Sequence, residues 1–162
     1  MTNKTQKGFT LVELIVVIAI IAVLSGVLVL AINPAALLAK GRDAKRLDDL
    51  DTLNKALSLA LVDGEIALTA VSAPAGGQAV DCTTGWVRCT IPTGKTGLSK
   101  FIALLPLDPL NTTPNVYSYG GTTTAYEFNA VLESPDNTAK MSADGGNNVS
   151  AYEVGTSLSI LP

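Results

Sequence analysis

Lys7-Gly8-Phe9-Thr10-Leu11-Val12-Glu13 runs without a break into Leu14–Ile32, 19 consecutive uncharged positions of which only Ser25 and Gly26 are neither alanine nor a larger aliphatic. At the 1.5 Å rise of an α-helix such a segment is about 28 Å long, close to the roughly 30 Å hydrocarbon core of a bilayer. It is long enough to cross a membrane. A cleaved secretory signal, with Lys4 and Lys7 as its basic region and cleavage near residues 29–31, fits poorly. The apolar stretch exceeds the usual length of about 7 to 15 residues, and Glu13 stands at its front edge. A carboxylate in or beside hydrocarbon costs up to about 3 kcal/mol when nothing pairs with it, so Glu13 reads as a functional residue.

Composition narrows the rest. The 162 residues are 48% hydrophobic and 15% charged, against about 25% charged in an average soluble domain, and leave room for one domain with an appendage. Eleven Lys and Arg against 14 Asp and Glu give a net charge of −3, which supplies no broad basic surface for phosphates, so no nucleic-acid partner is expected. The chain has no histidine. Ser-His-Asp and Cys-His nucleophile pairs and imidazole metal ligands are thereby excluded. No catalytic, cofactor-binding or metal-binding residue is assigned, and the chain is not read as an enzyme.

Beyond the span, Leu47, Leu50, Leu53, Leu57 and Leu61 recur at spacings of three and four, the stripe of an amphipathic helix. Lys45 with Asp49 and Asp51 with Lys55 make opposite-charge pairs on its solvated side. Asp63 and Gly64 supply the stop. A continuous helix from Phe9 to about Val62, 54 residues, is a rod about 80 Å long. Its first half is apolar all round and needs lipid or copies of itself as cover. Gly26 and the Asn33-Pro34 step interrupt it. Proline removes a backbone donor and clashes with the carbonyl four residues back, so a bend is expected near Ile32.

Residues 70–100 are rich in Gly, Pro, Ser and Thr and hold both cysteines, Cys82 and Cys89. A disulfide between them closes an eight-residue loop and requires an oxidising compartment, in agreement with export; two free buried thiols are the alternative. Two thiols do not make a structural zinc site, which needs four ligands. Gly94-Lys95-Thr96 imitates the end of a phosphate-binding loop, but Cys89 stands where the leading glycine is required. Further on, Val116–Tyr119 and Tyr126–Leu132 read as a hairpin joined by residues 120–125, with Tyr126, Phe128, Ala130 and Leu132 on its one buried face. Leu158 and Ile160, with Tyr152 and Val154, offer an edge strand. Glu127 and Glu133, six apart on one strand, are about 20 Å from each other, too far for a glycosidase pair. Asp144-Gly145-Gly146-Asn147-Asn148, preceded by Asp136 and Asn137, has oxygen ligands suited to calcium but lacks spaced acids, and reads as a solvated turn.

The polar leader ending in Gly8, then Phe9, then a carboxylate fifth after the glycine at Glu13, resembles the processing site of type IV pilins and of type II secretion pseudopilins. The resemblance implies that a prepilin peptidase cuts between Gly8 and Phe9 and methylates the new amine of Phe9, leaving 162 − 8 = 154 residues. It implies an α+β pilin fold: a long N-terminal α-helix, apolar and transmembrane in its first half and amphipathic in its outer half, packed on a small antiparallel β-sheet. The domain plan is then a leader at 1–8, a transmembrane or filament-core helix half at 9–32, and an exported globular domain at 33–162. That domain comprises the outer helix half (33–62), a loop region (63–115) and a C-terminal sheet (116–162). Leu105-Pro106-Leu107-Asp108-Pro109 leading into Tyr117 and Tyr119 is similar to the approach to the sheet in some small pilins. In related filaments part of the helix unwinds on assembly, and Gly26 and Pro34 mark where melting costs least.

Basic residues flank both sides of the span, Lys4 and Lys7 before it and Lys40, Arg42, Lys45 and Arg46 after it, so charge alone does not orient the chain. The resemblance does, with the leader cytoplasmic. It implies a single-pass inner-membrane protein before assembly and a cell-surface filament afterwards. The implied partners are the chain itself in a helical homopolymer, the prepilin peptidase/methyltransferase, and the inner-membrane assembly platform with its ATPase. Phe9 and Glu13 are the expected assembly residues. Within the same fold the alternatives are a secretion pseudopilin or a minor or competence pilin. Outside it stands a membrane-anchored exported binding or enzymatic domain, which retains Met1–Gly8.

Overall fold

The computed structural model describes residues 8–73 and 76–162, with the backbone alone at residues 29–31. Of the expected leader, residues 1–7 lie outside the described residues. The chain divides into two compact units, Met1–Leu38 and Ala39–Pro162.

The rod from Phe9 to Val62, with its bend expected near Ile32, is two helices, α1 (Leu11–Ile32) and α2 (Pro34–Val62). The break is at Asn33, whose φ of 46° is left-handed, a conformation asparagine tolerates better than most residues. Asn33 then serves as the cap of α2: its carbonyl accepts from the Ala36 and Leu37 amides, and its side-chain oxygen from the Ala36 amide at 3.4 Å. Pro34, which lacks an N–H, occupies the first helical position, where none is needed. Gly26 lies within α1 and does not interrupt it.

In the second unit α2 buries a stripe that differs from the leucine series. Leu50, Leu53, Ala56, Leu57 and Ala60 are buried together with Asp43, Arg46 and Asp49, whereas Leu47 and Leu61 are only half-buried. The Lys45–Asp49 pair is therefore not on a solvated face: Asp49 is buried and accepts from Tyr117 Oη at 2.9 Å. Asp51–Lys55 is exposed, as expected. The helix ends at Gly64, φ 64°, where the Glu65 amide bonds Ala60 O and the Gly64 amide bonds Leu61 O, the paired closure that glycine favours.

Among the described residues six short strands follow: β1 (Ala67–Leu68), β2 (Val71–Ser72), β3 (Cys89–Thr90), β4 (Ser118–Gly121), β5 (Tyr126–Ala130) and β6 (Tyr152–Gly155). β1 pairs with β3, and the others form an antiparallel sheet in the order β2-β4-β5-β6. The hairpin β4–β5 is displaced from its expected limits, starting at Ser118 and taking in Gly120 and Gly121. Glycine is there for close approach: a Cβ at residue 120 would lie 2.9 Å from Leu161 Cγ and from Ile160 Cγ2. Leu158 and Ile160 accordingly form no strand; the tail crosses the sheet's outer face, and of the expected edge strand only Tyr152 and Val154, in β6, pair at that edge of the sheet. β5 is buried along its whole length, Glu127 and Asn129 included, so the hairpin has two covered faces rather than one. On the helix side Phe128 is the hub, with Trp86, Tyr119 and Tyr126 ring centroids at 5.8, 5.3 and 5.6 Å. Tyr126 Oη reaches Ser58 Oγ and Asn54 Oδ1, each at 2.7 Å, and ties the sheet to α2.

A second fastening is ionic. Arg46, fully buried, gives Nε and Nη2 to the two oxygens of Asp108 at 2.5 and 2.9 Å, Nη1 to Asp43 at 3.0 Å and Nη2 to Glu133 at 2.5 Å. Arg42 holds Glu133 from the other side at 2.6 Å. Burial acts to raise the Asp43 carboxyl, but the Glu133 and Ser134 amides, the Asn137 amide group and Arg46 together hold it below the usual range. One helix face is thus joined to the Leu105–Asp108 approach and to the segment after β5.

Candidate assembly site

In the N-terminal unit Thr10, with extended backbone (φ −84°, ψ 153°), caps α1. Thr10 Oγ1 accepts the Glu13 amide at 3.3 Å, and Glu13 Oε2 accepts from Thr10 N at 2.9 Å and Thr10 Oγ1 at 2.8 Å. This reciprocal box satisfies two of the donors that a helix start leaves open. Thr10-Leu11-Val12-Glu13 is the T-x-x-E signature of that box, and it gives Glu13 a local role that the membrane argument alone did not supply. Both bonds to the carboxylate fall on Oε2 and neither on Oε1.

Phe9 is 84% exposed, immediately ahead of the amide that Glu13 holds. A Cβ on Gly8 would meet nothing within 4 Å, so the fold around it does not demand glycine. From Gly8 to Leu28 every residue is exposed. Leu11–Leu28 is long and apolar enough to cross a membrane and lies near the N-terminus.

Cys82 and Cys89 are bonded, with Cα atoms 4.8 Å apart. Asp81 supports the loop, its Oδ1 accepting the Thr83 and Thr84 amides at 2.9 and 2.7 Å. Closing a loop of this length stabilises by about 2.5 kcal/mol. Reduction is expected to remove about that much, as read from urea unfolding with and without reductant. Ready alkylation of both thiols in the native, non-reduced chain would refute the bond.

The remaining motifs are engaged within the chain. The Thr96 amide of the phosphate-loop imitation binds Glu65 Oε2 at 2.8 Å, and Lys100 binds Glu65 Oε1 at 3.1 Å. Hydrogen bonding by the Thr96 amide and then by Lys100 lowers the Glu65 carboxyl to about 2. Glu133 lies beyond β5 and joins Arg42 and Arg46, whereas Glu127 lies against Glu153, so the two acids taken as one strand's pair belong to different clusters. In the 144–148 loop Asp144 closes a turn, accepting the Gly146 amide at 2.9 Å and the Glu153 amide at 2.8 Å. Asp136 pairs with Lys40 at 3.1 Å.

Residues 3–29 match the prokaryotic N-terminal methylation motif. The match covers 27 of the 162 residues and shows a prepilin-type leader, the kind carried by type IV pilins and pseudopilins. The motif implies processing by a prepilin peptidase and a pilin assembly context, and with the apolar helix it fits a membrane-anchored precursor. No curated protein and no solved structure matches the chain.

Proposed function

We propose that the chain is a structural subunit of a type IV pilus or pilus-like filament, cut between Gly8 and Phe9, methylated at Phe9 and polymerised through α1. The observation that carries the proposal is α1 itself: an apolar helix exposed on every side from Gly8 to Leu28 must be covered by lipid or by copies of itself. Lipid covers it before assembly and neighbouring α1 helices cover it afterwards. The globular unit, closed by its disulfide and ionic cluster, is the exported part. The assembly platform and its ATPase extract the subunit from the inner membrane. The chain acts as a building element, not as an enzyme.

Mass spectrometry of the mature chain is expected to find Phe9 first and methylated, with filaments visible on the producing cells. Surface-exposed protein that retains Met1–Gly8 would overturn the proposal in favour of a membrane-anchored binding or enzymatic domain. Correct processing with no surface filament, in cells that secrete proteins through a pilus-like machine, would favour the pseudopilin reading.

A further inference from the structure

Glu127 on β5 and Glu153 on β6 are both buried, at 0% and 2% exposure, beneath the outer face of the sheet. β5 and β6 pair so that Glu127 faces Gly155 and Asn129 faces Glu153, which sets the two glutamates diagonally on one face of the sheet. Each uses one oxygen to hold a neighbouring segment. Glu127 Oε2 accepts the Ile160 and Leu161 amides at 2.7 and 3.1 Å, and Glu153 Oε2 accepts the Asn148 amide at 2.9 Å. The other oxygen of each, Oε1, has no donor. Two ionised carboxylates so placed would repel in a site from which water is excluded. A single proton between them removes one charge and supplies the missing donor.

We propose that Glu153 holds a proton against Glu127, and that this proton latches the tail 156–162 and the 144–150 loop onto the sheet. With the proton bound, both carboxyl groups keep their amide bonds and the tail covers Gly120 and Glu127. When it leaves, repulsion between the glutamates loosens both segments and uncovers the outer face.

The surroundings favour this behaviour. Asp144, which accepts the Glu153 amide, adds a third acid. The short helix α3 (Thr138–Met141), packed on β6, carries only Lys140 as a charged residue, and it is exposed. The tail 156–162 has no titratable side chain, and the Pro162 oxygen accepts from Asn148 Nδ2 at 2.7 Å. Burial first, then Glu127 and Asp144, push the Glu153 carboxyl up to about 7. A carboxyl raised on folding stabilises fully below its unfolded value of about 4.3, and the stabilisation is lost as pH rises through 7. Because the chain contains no histidine, no other side chain ordinarily titrates between pH 5.5 and 7.

The test is amide hydrogen exchange on the full chain in detergent, corrected for the intrinsic rate, between pH 5.5 and 7.5. Protection of Ile160 and Leu161 is expected to fall by about tenfold or more over that range, while peptides from α2 change less. Glu153→Gln, neutral at every pH, is expected to flatten the profile. Protection that stays level in the unsubstituted chain, or an unchanged slope in Glu153→Gln, would overturn the latch. So would full restoration of protection at pH 7.5 by millimolar Ca2+, because a cation and not a proton would then be the natural occupant. The inference concerns the globular unit alone and does not depend on the filament reading.

Discussion

Arg46→Met is expected to destabilise the globular unit by about 3 to 5 kcal/mol, because it strands Asp43, Asp108 and Glu133 without the guanidinium they share. Methionine restores the volume and the apolar stem, so the loss reports the charge and the five-donor fork rather than a cavity. Arg46→Lys retains a charge but cannot face both oxygens of Asp108 while also reaching Asp43 and Glu133, and is expected to recover only part of the loss. The exposed Asp51–Lys55 pair supplies the contrast: Lys55→Ala is expected to cost about 0.5 kcal/mol or less. Urea unfolding followed by Trp86 fluorescence measures all three, since that indole is buried in the same core and donates to Pro106 O at 3.0 Å. An unchanged midpoint for Arg46→Met would mean that apolar packing alone fastens α2. Acid should act in the same direction. Arg42 and then Arg46 hold the Glu133 carboxyl below its usual range, and net hydrogen bonding does so for Asp43. Their contribution is complete above pH about 4 and is lost as pH falls through the lowered folded values.

The two halves of the molecule differed in how much of them could be read beforehand. Leu14–Ile32 has one chemical character and one periodicity, so a membrane-length helix followed from composition and rise, and the Asn33-Pro34 break followed from proline's missing donor. The leader motif was equally legible, because its information lies in the order of Gly8, Phe9 and Glu13 rather than in packing. The capping box is written in the three-residue spacing of Thr10 and Glu13, and the cost of a carboxylate near lipid is a second, independent property of the same residue. In α2 the leucine series gave the face to within one turn. It missed Asp43, Arg46 and Asp49, because a charge on a helix reads as solvated until its partners are known, and Asp108 and Glu133 stand 62 and 87 positions beyond Arg46. The Glu127–Glu153 pair was hidden for the same reason. β5 alternates Tyr126, Phe128 and Ala130 with Glu127 and Asn129, the pattern of a strand with one wet face, and the tail crossing Gly120 together with the 144–150 loop over Glu153 makes the second face dry.

The largest functional effect is expected at Glu13, and the capping box makes its two roles separable. If the carboxylate acts by charge, its partner in a filament core is the Phe9 amine, which stays positive after methylation and, on a neighbouring subunit, fixes axial register as the charges meet. If it acts only by capping Thr10, a neutral amide serves as well, since glutamine is accepted at the same place in the box. Glu13→Leu removes both roles and is expected to abolish filaments while leaving membrane insertion and the globular unit intact, because α1 stays apolar and no residue of Ala39–Pro162 changes. Glu13→Gln separates them. It keeps an oxygen for the Thr10 amide and loses the charge, so the register role predicts failure comparable to Glu13→Leu, with breaking of a buried pair costing about 3 to 5 kcal/mol per subunit. Filament yield by electron microscopy, normalised to the membrane pool of processed subunit, reads the outcome. Near-normal yield from Glu13→Gln with none from Glu13→Leu would assign Glu13 to the helix cap alone. Near-normal yield from both would show that the apolar surface of α1 assembles without the carboxylate.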